Sequence, residues 1–180
     1  LPFYMRYLGA EAYGLVGFYA LLQTWFILLD IGLTGTMSRE TARFQGGAVS
    51  AESMRRVFRA MEGLFIAIAV LGTMGLVFSA DLLATRWLKV QTLGQDEVIL
   101  SIQIMAFIVG MRWFCGLYRG VINGFEKQVW LSWFNAIMTT VKTVAAIPVL
   151  WIFGATPTVF FTYQLLIVLI ETIVLVIKTY

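Results

Sequence analysis

Residues Tyr13 to Thr36, YGLVGFYALLQTWFILLDIGLTGT, are apolar for nearly the whole stretch. At about 1.5 Å per helical residue the segment reaches across the roughly 30 Å hydrocarbon core of a bilayer, so it reads as a membrane-spanning helix. One acid, Asp30, sits inside the apolar run. Beyond it, residues 37–59 hold five arginines (Arg39, Arg43, Arg55, Arg56, Arg59), two glutamates and the pair Gly46 and Gly47, which is expected to interrupt any continuous helix.

Four further apolar stretches follow, at about 57–78, 99–121, 129–153 and 159–177. With 60% hydrophobic and 13% charged residues in 180, the chain lacks the charged surface of a soluble domain and must be solvated by lipid. The expected fold class is all-α, a polytopic transmembrane helical bundle forming a single unit over residues 1–180. Residues 1–12, with Pro2, Arg6 and Glu11, read as an outward loop after a truncated first helix. Leu1 and Tyr180 accordingly read as an internal start and an internal stop.

The cations set an orientation. Five arginines lie in 37–59, Arg119 and Lys127 near the third loop and Lys178 after the last span, while the turn 154–158 has none. By the positive-inside rule these cationic segments, residues 37–59 foremost, face the cytoplasm; the segment before the first span, the loop 79–98 and the turn 154–158 face outward. Trp87, Trp130, Trp133 and Trp151 suit interfacial anchors, whereas Trp25 lies mid-span.

Several chemistries are excluded at this level. The chain has no histidine and one cysteine, Cys115. A histidine-based triad, a zinc site with histidine or paired thiolates, and an internal disulfide therefore have no residues to build them. No catalytic residue, metal ligand or cofactor is expected, and nothing points to nucleic acid.

The polar residues inside the spans carry the functional signal. In the fourth span Gln128, Ser132, Asn135, Thr139 and Lys142 step by four, three, four and three, which puts them on one helical face. Such a stripe should face protein or water, because each unsatisfied polar group in hydrocarbon costs several kcal/mol. Arg112 shares a face with Arg119, Gln164 with Glu171 and Lys178, and Tyr19 with Gln23, Asp30 and Thr34. One reading is a polar lumen: Arg112 and Lys142 attract an anionic substrate, Asn135, Thr139 and Gln164 line it, and Glu171 or Asp30 couples to a proton or sodium ion. The other is that the charges pair with one another, Arg112 or Lys142 with Glu171 or Asp30, and lock the bundle. Asp30 and Glu62, toward the cytoplasmic ends of their spans, are also expected to snorkel to the interface or to pair with nearby arginines. Gly72, Gly75 and the other intraspan glycines read as sites of close helix packing.

Two stretches, LPFYMRYLGAEAYGLVGFYALLQTWFILLDIGLTGTMSRETA (residues 1–42) and GLYRGVINGFEKQVWLSW (residues 116–133), add a resemblance. Their Tyr7-Leu8-Gly9, Glu11 and Tyr13-Gly14 pattern, Asp30, Gly32 and Leu33, Arg39, Glu40 and Ala42, and the LYRG segment resemble the amino-terminal half of bacterial polysaccharide flippases of the O-antigen transporter type. These belong to the multidrug/oligosaccharidyl-lipid/polysaccharide exporter superfamily. The resemblance implies one lobe of a two-lobed exporter fold in the bacterial inner membrane. It also implies alternating-access transfer of a polyprenyl-diphosphate-linked oligosaccharide for surface polysaccharide such as O-antigen of lipopolysaccharide, with membrane lipid, a polysaccharide polymerase and assembly proteins as partners. The roles of Arg112 and Lys142 do not come from a family pattern. The alternatives are a drug or peptidoglycan-precursor exporter of the same superfamily, a membrane-embedded glycosyl or phosphoglycosyl transferase, and a non-transporting scaffold.

Overall fold

The computed structural model describes the backbone of residues 2–30, 32–88, 94–154 and 156–180, and the side chains of these except 2–11, 29, 87 and 88. Among the described residues every regular element is helical: α1 (Pro2–Leu29), α2 (Leu33–Gln45), α3 (Ala51–Leu82) running into a π-helical turn (Leu83–Leu88), α4 (Gln95–Gly124), α5 (Gln128–Val144), α6 (Ala146–Phe153) and α7 (Pro157–Thr179). Four helical stretches are long and apolar enough to cross a membrane, with α5 and α6 counted as one; the bent pair α1 and α2 makes a fifth. The chain is an all-α, multi-pass membrane bundle.

The boundaries depart from the sequence reading where local chemistry overrides hydropathy. The helix read over 13–36 is broken, and its two parts meet at 49°. Gly32 takes a left-handed conformation with φ 81°, which favours glycine, and α2 starts afresh behind it. Residues 2–12, read as a loop, are the first turns of α1, while Leu1 lies outside the described residues. The segment 37–59 is mostly helix, and only residues 46–50 break it, with Gly47 at φ 76°. Ser50 then starts α3 by accepting the Ser53 N–H at 3.3 Å, six residues before the apolar run at 57. Helix α4 exceeds its expected span of 99–121 at both ends. The span 129–153 is interrupted at Ala145, because Pro148 has no N–H to give the Val144 carbonyl and its ring crowds that oxygen. Pro157 is the first residue of α7, where a missing N–H costs nothing, and Thr156 caps the helix by accepting the Val159 N–H. The side chain of Trp87 and all of Lys89 lie outside the described residues.

Helix α4 is the axis of the bundle. It packs most extensively on α7, α3 and α2, and also touches α1 and α5. All three apolar clusters draw on it: Ile102, Met105 and Ile108 in one, Cys115, Tyr118 and Ile122 in the second, Trp113, Leu117 and Val121 in the third. Lipid tails are as apolar as leucine, so close van der Waals approach rather than water exclusion has to hold such helices together. The spacing Gly116, Gly120, Gly124 allows that approach. A Cβ at Gly120 would lie 2.7 Å from the Thr34 carbonyl oxygen, and one at Gly124 2.5 Å from that of Ser38, so α2 rests on the bare backbone of α4. Gly72 gives room in the same way to the Phe26 ring; Gly75 meets nothing.

Among the described residues Glu62 pairs with no arginine. It accepts hydrogen bonds from the hydroxyls of Tyr118 (2.7 Å) and Tyr180 (3.1 Å), which reach it from α4 and from the end of α7. Helical geometry turns Glu62 toward α4, while Arg55, Arg56 and Arg59 are exposed. Trp130 stacks on Phe134 with ring centroids 5.1 Å apart and lies beneath the Lys178 ammonium; Trp133 and Trp151 are exposed.

Candidate functional site

A cleft of about 590 Å³ opens between the α1–α2 break, α4, α5 and α7. Each wall follows from helical periodicity. Val109, Arg112, Trp113, Gly116 and Arg119 recur at three- and four-residue steps and form the α4 wall. Asn135, Met138, Thr139, Lys142 and Thr143 form the α5 wall by the same spacing. Gln23, Phe26, Asp30 and Thr34 enter from the broken first span, and Glu171 from α7. Three cations and two carboxylates thus face one space inside a membrane bundle.

The carboxylates are engaged. Glu171 pairs with Arg119, and the other arm of that guanidinium donates to the Asn135 side-chain oxygen at 2.5 Å. The Arg119 and Glu171 side chains are 29% and 9% exposed, so little solvent screens the pair. Asp30 accepts the backbone N–H and the hydroxyl of Thr34 at 3.1 and 2.9 Å. Its carboxylate therefore covers the positive amino end of α2, which would otherwise attract an anion from the cleft.

Two of the cations are in a different state. Among the described residues Arg112 and Lys142 have no carboxylate within bridging distance. Arg112 donates to Gln23 Oε1 at a long 3.4 Å, and its buried Nε finds no acceptor among the described residues. Lys142 has neither an ion pair nor a hydrogen bond there, although it lies deep in its span. The cleft therefore offers two positive charges with unspent donors, beside Glu171 held in an ion pair and Asp30 bonded through one oxygen to Thr34. Chemically it can take an anion with several acceptor oxygens.

Of the residues singled out in the sequence, Arg112, Lys142, Asn135, Thr139, Glu171 and Asp30 come together here. Gln164 does not line the cleft; it is 4% exposed and packed inside the bundle. The pairing expected of Arg112 or Lys142 with Glu171 or Asp30 is replaced by Arg119–Glu171 and by the Asp30 cap. The seven-residue spacing that puts Arg119 on one face with Arg112 holds, and both line the cleft; what the sequence does not single out is Arg119 as a residue of the site. Gln23 and Trp113 are further additions, and nothing in the sequence distinguished Trp113 from a packing tryptophan. Cys115 is buried, its sulfur 3.1 Å from the Thr172 hydroxyl.

The sequence model of a family described as "polysaccharide biosynthesis protein" matches residues 1–180. No curated protein and no solved structure matches the chain.

Proposed function

The chain belongs to the polysaccharide biosynthesis protein family, and from that premise we propose that it is the amino-terminal lobe of a flippase for a polyprenyl-diphosphate-linked oligosaccharide. In this reading it moves the substrate across the bacterial inner membrane during surface polysaccharide synthesis. The observation that carries the reading is the pair of cations, Arg112 and Lys142, facing one intramembrane cleft without a carboxylate partner among the described residues. A cation deep in a membrane helix costs roughly 2.5–3.5 kcal/mol to insert. A diphosphate with its acceptor oxygens is the kind of ligand that offsets such a cost. Guanidinium and ammonium groups hold it, Gln23 and Thr139 offer hydrogen bonds to sugar hydroxyls, and the prenyl tail stays in lipid.

Residues 37–59 face the cytoplasm in this reading. Two of their arginines are tied to Glu40 and Glu52, and Arg55 and Arg59 have no carboxylate in bridging range among the described residues. Glu171, held by Arg119, serves as a structural counter-ion rather than an ion-coupling carboxylate, and Asp30 as a cap. The protein acts as a transporter and not as an enzyme. A drug exporter of the same superfamily, taking cationic cargo, would want carboxylates to outnumber cations in the cleft, whereas here three cations face two carboxylates, one of them tied to Arg119.

The test is complementation of a flippase-deficient bacterium with the full-length protein, comparing wild type, Lys142→Ala and Lys142→Arg at equal membrane abundance. Surface glycan restored by wild type and Lys142→Arg but lost with Lys142→Ala is the expected result. Equal rescue by all three would remove the lumen cation from the mechanism.

A further inference from the structure

Helices α4 and α5 are the two arms of one hairpin. Glu126 takes a left-handed conformation, φ 56°, and the Lys127 N–H reaches back to the Ile122 carbonyl at 3.2 Å, so the chain reverses within residues 125–127. In antiparallel helices of equal rise, residues equally far from such a turn lie at one level. Arg119 and Asn135, each eight residues from Lys127, are joined across the hairpin by a hydrogen bond. Arg112 and Lys142 are each fifteen residues from Lys127. They therefore form the level two turns farther in, roughly 10 Å beyond the first. Their charges lie in the same cleft and within electrostatic reach of each other.

The turn sets the level of Lys142 but not the direction in which α5 faces. Beyond Phe134 no residue of α5 is buried, and all the α5 residues that line the cleft lie from Asn135 onward. At this neck one arm of the Arg119 guanidinium takes the Asn135 oxygen and the other takes Glu171 of α7. The Tyr163 hydroxyl tethers α5 to α7 through the Val141 backbone, whereas the Asn135 side chain joins α5 directly to the helix that bears Arg112. Asn135 and Lys142 are seven residues apart on one face, so fixing the direction of the first fixes that of the second. The knot carries no net charge, because Glu171 balances Arg119 and the Asn135 amide is neutral. It orders the wall without drawing an anion to itself. We propose that Asn135, acting through Arg119, is a positioning residue that turns Lys142 toward Arg112, so that the two cations close on one phosphate group of the substrate. The assignment rests on the lumen reading above and deepens it.

The test titrates the full-length protein in detergent micelles with farnesyl diphosphate, each affinity being taken per folded protein. Lys142→Ala is made in three backgrounds: wild type, Asn135→Leu and Tyr163→Phe, the last of which loosens α5 from α7 but not from α4. Loss of Lys142 should weaken binding roughly tenfold in wild type and in Tyr163→Phe, and by less than about threefold in Asn135→Leu, where the ammonium no longer meets the ligand. Asn135→Leu alone should bind nearly as weakly as Lys142→Ala alone. The full Lys142 effect persisting in Asn135→Leu overturns the assignment, since Lys142 would then reach the ligand without the knot, and leaves the lumen reading standing. An effect lost equally in Tyr163→Phe also overturns it, because any loosening of α5 would then suffice. Equal binding by wild type and Lys142→Ala, or no binding by wild type, overturns both readings.

Discussion

Helices α4 and α5 both bring cations to the cleft, but they are held in opposite ways. Helix α4 is enclosed by α2, α3 and α7, and sixteen of its residues are buried, which leaves almost no face for lipid. Helix α5 buries only Leu131 and Phe134 and contains no glycine. Its attachments are polar or aromatic: Asn135 to Arg119, the Tyr163 hydroxyl donating to the Val141 carbonyl at 2.7 Å, and Trp130 beneath Lys178. Where hydrophobic burial gives no drive, a membrane bundle can join helices by shape or by hydrogen bonds. This chain uses shape around α4 and hydrogen bonds around α5. Arg112 is thus mounted on a rigid wall and Lys142 on one secured at a few points.

That contrast predicts a ranking of substitutions. The largest effect belongs to Gly124→Val, whose added carbons meet the Ser38 carbonyl and the Thr41 side chain. We expect about 3 kcal/mol or more of destabilisation, read as loss of folded protein in a denaturant titration in mixed micelles. Gly75→Ala, at a helical position with nothing within 4 Å, should stabilise by about 0.5 kcal/mol in the same assay. If the two glycines behave alike, shape is not what holds α4.

Next comes Glu171→Ala, which strands the Arg119 guanidinium mostly out of solvent. The expected cost is about 3 kcal/mol, and replacing both partners by leucine should recover much of it. A double variant as unstable as the single one would contradict the account.

Asn135→Leu removes one of the attachments of α5 and should cost about 1 kcal/mol. It should raise amide hydrogen exchange along α5 and leave α4 protected. Tyr163→Phe is the smallest, at about 0.6 kcal/mol, with its exchange signature confined to the second half of α5. Exchange that rises equally in α4 and α5 would dissolve the distinction between them.

Much of the architecture could be read from hydropathy alone. Lengths of apolar run and the periodicity of Gln128, Ser132, Asn135, Thr139 and Lys142 depend only on the chain's own geometry, and both were legible. The break at Gly32 was not, because Asp30 and Thr34 had to be seen cooperating around one glycine before an apolar helix could be read as two. The cleft was half legible. Arg112 and Lys142 stand out by their cost in lipid, whereas Arg119 hides near a helix end, where cations are ordinary. Partner choice was illegible in principle: Glu171 lies 52 positions from Arg119 and 59 from Arg112, and only the packing of α7 on α4 selects between them. Gln164 shows the limit of periodicity, since it shares a face with Glu171 yet lies outside the cleft.

The glycine face of α4 also has a consequence for how the chain is made. Helix α2 has its principal partner in α4, with only light contact to α3. At roughly 5–20 residues per second, the ~80 residues between the ends of α2 and α4 take ~4–16 s to synthesise. Throughout that interval the first span, with its acid at Asp30, waits in the insertion machinery or the lipid for the surface it will rest on. The glycines of α4 are thus the point in translation at which the earlier helices stop being separate passengers and become one body.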